Sequence, residues 1–419
     1  MSEQRPPTSE QASQRSVAGT AWEDAREAFA AGEFRYVLGA SALFAFAQWM
    51  ERTAVGWLVL EETGSAFLTA LAWAVRAAPS AIMGPVAGTL ADRVSRPVLL
   101  ATSAILKGIA LVATGILALG NDPSIASLLL LIALSGSTMT INNTALQPLV
   151  QDLVGPRRAM GAISLNSLGM RAIGAIGAIF AGVLIAKVGV GETFFVAAGI
   201  LAFAAVSFSR ARARPPLRRV SSSFRHDVWD GLQIVFRIRI VAALLVLMVV
   251  VENLGFAFNS VMPVVANKIL DVGPEGLGLL GTAAGVGSIF GTAGLALLGN
   301  FQRKGLLLLA VVGGFGGLLM AMAATDLFVL VLIITALLGA AMAAVDALEW
   351  ILLQANVEDE YRGRVIGAWN LAIGLGWLGP ILLGGAAEAL GVQNALALFG
   401  ALLLTTGIVA GGSRRLRAA

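Results

Sequence analysis

The feature that constrains this chain most is a repeated join: a long apolar run, a short charged turn, then another long apolar run. The stretch from Gly84 to Leu100 shows it. Apolar sequence ends at Ala91, Asp92-Arg93-Val94-Ser95-Arg96 form the turn, and apolar sequence resumes at Pro97. Runs of 18 or more mostly apolar residues are long enough to cross about 30 Å of hydrocarbon as a helix. Twelve such runs are expected, at about 36–60, 67–91, 97–120, 124–150, 159–187, 191–210, 239–269, 275–299, 304–324, 326–355, 363–388 and 391–412. They lack the period-two alternation and the roughly ten-residue length of barrel strands. The fold class is therefore an all-α membrane protein with twelve transmembrane helices.

Composition narrows the function. Only 13% of the 419 residues are charged, against roughly 25% in soluble domains. The net charge of +4 does not point to nucleic acid, because the basic residues sit in short turns and at the ends and form no continuous face. With no cysteine, disulfides, thiol catalysis and thiolate metal sites are excluded. The one histidine, His226, lies in a basic connector, which excludes a histidine proton relay inside the membrane. Neither a phosphate-binding glycine loop nor a nucleophile or metal constellation is evident. No cofactor and no enzymatic activity are expected.

Residues 1–35 read as a polar tail followed by a short interfacial amphipathic helix, without the apolar core of a secretory signal. The long basic connector 211–238, with a proline-arginine start and an amphipathic second half, separates a six-helix bundle at 36–210 from another at 239–412; a tail at 413–419 follows. An internal repeat supports this division. Gln147-Pro-Leu-Val-Gln-Asp152 recurs as Gln354-Ala-Asn-Val-Glu-Asp359, and each is followed by arginines and a Gly-Ala step. Arginine and lysine concentrate in alternate turns, at Arg93, Arg96, Arg157, Arg158, Arg303, Lys304, Arg362 and Arg364, in the connector and at the C-terminus. The positive-inside rule then places both termini in the cytoplasm. Small residues such as Gly174, Gly177 and Gly182 suit close helix packing.

Ionisable groups at membrane depth are costly and mark transport pathways. Glu51 and Arg52 lie deep in the first span, Arg171 in the fifth and Glu252 in the seventh, with Asn253 beside it. Asp346 and Glu349 lie in the tenth, three apart and so on one helical face. These are the candidates for proton coupling or substrate binding. Glu51 stands first, with Arg52 and Arg76 as counter-charges. Structural salt bridges within the bundle remain the alternative for each. Trp49, Asn142, Asn143 and Phe256 are candidates to line a pocket, and interhelical packing is the alternative there.

Gly88-Thr-Leu-Ala-Asp92-Arg93-Val-Ser-Arg96 resembles the signature loop of the major facilitator superfamily, and Gly299-Asn-Phe-Gln-Arg303-Lys304-Gly305 is an eroded second copy. The resemblance covers nearly the whole chain. It implies two six-helix bundles, alternating access, and a cytoplasmic gate at Asp92, Arg93 and Arg96. The run from Trp49 to Ser65, followed by Pro79 and Gly84-Pro85, resembles the bacterial siderophore-exporter and macrolide or multidrug-efflux branch. That implies a monomeric, proton-coupled exporter (an antiporter) of small amphipathic compounds in the bacterial inner membrane, surrounded by lipid. A lysophospholipid carrier with little proton coupling and a non-transporting receptor or scaffold are the alternatives.

Overall fold

The computed structural model describes residues 32–80, 83, 87, 90–91, 93–120, 123–155, 158–211, 238–298, 301, 303–358, 361–413 and 416–417. The tail up to residue 31, Asp92, Arg157 and nearly all of the connector lie outside the described residues.

Every described element is helical. The order is α1 (Gly32–Thr63), α2 (Ala66–Ala77), α3 (Arg96–Ala118), α4 (Ile125–Val154), α5 (Ala159–Val188), α6 (Val190–Ser209), α7 (Arg239–Ile269), α8 (Gly273–Leu298), α9 (Lys304–Ala323), α10 (Phe328–Ala355), α11 (Arg362–Gly374, continuing through Leu375–Trp377 into Leu378–Leu390) and α12 (Val392–Gly411). Ten of these helices are long and apolar enough to cross a membrane among the described residues. The other two are α1, which carries Glu51 and Arg52, and the shorter apolar α2. Large apolar side chains stand outward around the bundle, such as Phe203 at 72% exposure and Leu297 at 88%. A soluble protein rarely presents such a belt, and lipid is the solvent that fits it.

Local sequence explains the breaks. Gly64 turns the chain at φ 61°, and Ser65 then caps α2 by accepting the Leu68 N–H at 3.1 Å. α3 begins with Pro97 in its first turn, where a missing N–H costs nothing. α7 is irregular in mid-span. A π turn at Val251–Gly255 holds Glu252 and Asn253, a 3-10 stretch follows at Phe256–Val261, and Pro263 interrupts the ladder before a second π turn at Val265–Ile269.

The packing repeats after six helices. In the first half α1 lies against α5 and α6, and α3 against α4 and α6; in the second, α7 lies against α11, α9 against α10 and α12, and α8 against α10. The chain folds as two six-helix bundles. They meet along α5–α8 and α2–α11. Among the described residues, the hydrogen bonds between halves gather toward the end that carries Gly64, with one near mid-span. Lys268 donates to the Gly64 carbonyl at 2.6 Å. The Ser65 hydroxyl and the Phe67 N–H donate to Glu388 at 3.2 and 3.1 Å. Thr282 donates to the Ala175 carbonyl at 2.7 Å. Backbone meets backbone at Gly182, where a Cβ would stand 2.3 Å from the Pro274 oxygen and 3.1 Å from the Gly278 Cα. Any side chain there would wedge the halves apart.

Candidate functional site

Three groups of polar side chains follow the interior. The first belongs to one half. Glu51 of α1 forms an ion pair with Lys107 of α3 and accepts a hydrogen bond from Ser135 of α4; Lys107 also donates to Ser135 at 2.7 Å. All three are at most 1% exposed. Gly136 makes the neighbourhood possible, because a Cβ there would collide with the Arg76 carbonyl at 2.0 Å and push α2 off α4. The Arg76 charge acts on Glu51 from α2, as the sequence suggested. Lys107, however, is the direct partner, because α3 passes α1 at this level. Arg52 faces the other way.

The second group is built around Arg52. Its guanidinium lies 4.6 Å from the Trp49 ring centroid and 4.2 Å from that of Trp73, and Arg76 shares the Trp73 ring at 5.1 Å. These are cation–π distances. Trp49, Arg52 and Trp73 form one wall of a narrow cleft between the halves, with Thr53 beside them and Phe258, Asn259 and Thr335 opposite. Of the expected pocket residues, Trp49 lines this cleft. Phe256 packs in the second half against Phe315 at 5.9 Å, Asn142 is buried within the first half, and Asn143 is exposed; none of these three lines the cleft.

The third group spans both halves. Glu252 from the π turn of α7 and Asp346 and Glu349 from α10 lie close enough for their charges to act on one another, and Arg171 of α5 acts on Asp346 from the opposite half. Glu349 is 2% exposed, and neither of its carboxylate oxygens has a hydrogen-bond partner. Trp350, the next residue in the chain, packs against Trp369 with centroids 4.9 Å apart and the rings tilted by 59°. Among the described residues no histidine, cysteine or carboxylate group is arranged to hold a metal ion.

At the end opposite Gly64, Arg96 forms an ion pair with Asp152 and reaches the Pro148 carbonyl at 3.5 Å. Both partners belong to α4, so this contact ties α3 to α4 inside one half. Arg93 is exposed, and Asp92 lies outside the described residues. Sequence reasoning missed Ser135, Glu388 and Lys268. Ser135 had a faint signal, a small polar residue before a glycine in an apolar run. Glu388 and Lys268 are lone charges near helix ends, and only the docking of α11 on α2 and of α7 on α1 gives them partners.

The comparisons agree with this architecture. A profile described as Major Facilitator Superfamily matches residues 37–304 and 244–416. The multidrug efflux pump Tap of Mycolicibacterium fortuitum is 26% identical over 374 residues, covering 86% of this chain and 90% of its own length. The staphyloferrin A transporter of Staphylococcus aureus is 23% identical over 384 residues, covering 87% and 92%. The crystal structure of the nucleoside transporter NupG superimposes with a TM-score of 0.74 at 12% identity, covering 91% of this chain and 100% of that one. With the profile matched across both six-helix halves, the chain is a membrane transporter and belongs to the major facilitator superfamily.

Proposed function

We propose that this chain is a proton-coupled exporter of small amphipathic compounds, working by alternating access in a bacterial inner membrane. The observation that carries the reading is the group of Glu252, Asp346 and Glu349 facing Arg171 across the two halves. A coupling site needs a charge that can be neutralised and that feels the approach of the other half. Carboxylates crowded at membrane depth, one of them without any hydrogen-bond partner, meet that need. Glu51 fits it less well, because Lys107 and Ser135 engage it inside one rigid half.

The moving units in this reading are residues 36–210 and 239–412, joined by 211–238. Positive charge at the Arg96 end makes that end cytoplasmic, with both termini there. The contacts at the Gly64 end then hold the halves together toward the outside. The Arg96–Asp152 tie keeps the first half intact while the gate containing Asp92 and Arg93 opens and closes. Export, and the class of amphipathic compounds, are supported by the multidrug pump and the siderophore transporter among the relatives.

The test is flux in proteoliposomes under an imposed pH gradient, with a panel of dyes, macrolides, siderophores and lysolipids. Wild-type flux of at least one non-lipid compound depends on the gradient. Glu349→Gln and Asp346→Asn retain binding and lose that dependence. Gradient-independent flux in wild type, or flux of lysolipids alone, overturns the reading.

A further inference from the structure

The first half holds more buried positive charge than it uses. Glu51 is engaged by Lys107 and Ser135, which leaves Arg52 and Arg76 sharing the Trp73 ring. Two guanidinium groups on one indole repel each other, and among the described residues no carboxylate forms an ion pair with either. The Arg76 Nη1 atom is buried and has no hydrogen-bond partner. Trp49 and Trp73 hold the Arg52 guanidinium from two sides, which fixes its direction before anything binds. Thr53, Asn259 and Thr335 already donate to the Trp49, Phe256 and Val331 carbonyls of their own helices, so Arg52 is the free donor of the narrow cleft, whose space suits a carboxylate-sized group and not a whole amphipathic molecule.

Arg76 feels the Glu51 charge, whereas Arg52, a guanidinium with no carboxylate beside it at the junction of the two halves, is one half of an ion pair. We infer that the Arg52 cleft is a subsite for an anionic oxygen group of the substrate, and that the preferred substrates are amphipathic carboxylates. This rests on the transporter reading above and names its substrate class. The acids stand apart from this cleft. Asn259 is seven residues beyond Glu252 on α7, and Thr335 is eleven before Asp346 on α10, so the cleft is displaced from them by about 10–16 Å at 1.5 Å per residue. A bound carboxylate touches α1 and α2 on one side and α7 and α10 on the other, so occupancy is sensed by both halves.

The probes are dansyl-undecanoate and its primary amide, equal in shape and differing in charge. Binding to full-length protein in phosphatidylcholine nanodiscs is read by tryptophan-to-dansyl energy transfer, with empty nanodiscs subtracted. Wild type binds the carboxylate about tenfold or more tightly than the amide, the range of one or two charged hydrogen bonds. Arg52→Gln brings the ratio near one, while Arg52→Lys keeps part of the preference. Size-exclusion elution and the unfolding midpoint in detergent show whether Arg52→Gln is folded; if it is not, Asn259→Asp, which sets a carboxylate in the cleft with Arg52, carries the test through a reduced ratio. Equal binding of both probes by wild type, or a preference that survives these substitutions, overturns the inference. Nanodiscs containing phosphatidylglycerol distinguish the source of the anion. If that lipid displaces both probes through Arg52 and wild type shows no carboxylate preference without it, the occupant is a lipid headgroup and the substrate assignment is overturned. Gradient-driven flux of uncharged panel compounds is measured beside binding, so failure of the subsite and failure of proton-coupled transport give separate results.

Discussion

Removing both members of the Glu51–Lys107 pair should cost far less than the sum of removing each alone. The pair is shut away from solvent between α1, α3 and α4, with Ser135 as a common hydrogen-bond partner. Glu51→Gln strands Lys107 in a half that already carries Arg52 and Arg76, and an uncompensated buried charge costs about 3–5 kcal/mol. Lys107→Met leaves Glu51 with Arg76 as a remaining counter-charge, so its cost should sit near the lower limit, about 3 kcal/mol. Simple addition puts the double variant at about 6–8 kcal/mol, whereas loss of both charges together should cost no more than about 3–5, a coupling of about 3 kcal/mol. The assay is equilibrium unfolding in mixed detergent micelles, followed by tryptophan fluorescence. Single variants within about 1 kcal/mol of wild type, the value of an exposed pair, or an additive double variant, would refute the reasoning. The same variants separate structure from coupling. The folded double variant should keep gradient-dependent flux, since Glu51 is placed in the scaffold.

Further outcomes concern the contact between halves. Gly182→Leu places a side chain where the Pro274 carbonyl stands and should prevent closure at the Gly64 end. The chain has no native cysteine, so a single cysteine at Ser65 can report this directly: an impermeant maleimide should label it several-fold faster in the Gly182→Leu background. In the Ser65 cysteine background Glu388→Gln weakens the remaining exposed, charge-assisted tie to the Phe67 N–H; a loss of about 0.5–1 kcal/mol should raise the same labelling about two- to five-fold. Arg96→Gln breaks the link from α3 to α4 without touching any inter-half contact, so it should lower stability and leave labelling at Ser65 unchanged.

Much of the scaffold was legible because lipid imposes one rule, a long apolar helix for every crossing. The run expected at 97–120 is Arg96–Ala118, that at 239–269 is Arg239–Ile269, and that at 391–412 is Val392–Gly411. The repeat was legible too. Gln147 and Gln354 both fall near the ends of equivalent helices, α4 and α10. The site was legible where spacing along one helix decides it, as with Asp346 and Glu349. It was not legible where partners come from different helices. Nothing local says that Lys107 meets Glu51, that Trp73 lies against Arg52, or that the Arg171 charge reaches Asp346 from the opposite half. These pairings depend on crossing points set by small residues such as Gly136 and Gly182, whose effect is three-dimensional.

Proton movement evoked by substrate tests the central claim most directly. Purified protein in weakly buffered detergent with a pH indicator receives the panel compound of highest flux, with no gradient imposed. Wild type should release protons in proportion to the protein bound, and Glu252→Gln/Asp346→Asn/Glu349→Gln should bind the compound and release none. Binding without release in wild type, or full release from the triple variant, would contradict the assignment of coupling to these three carboxylates.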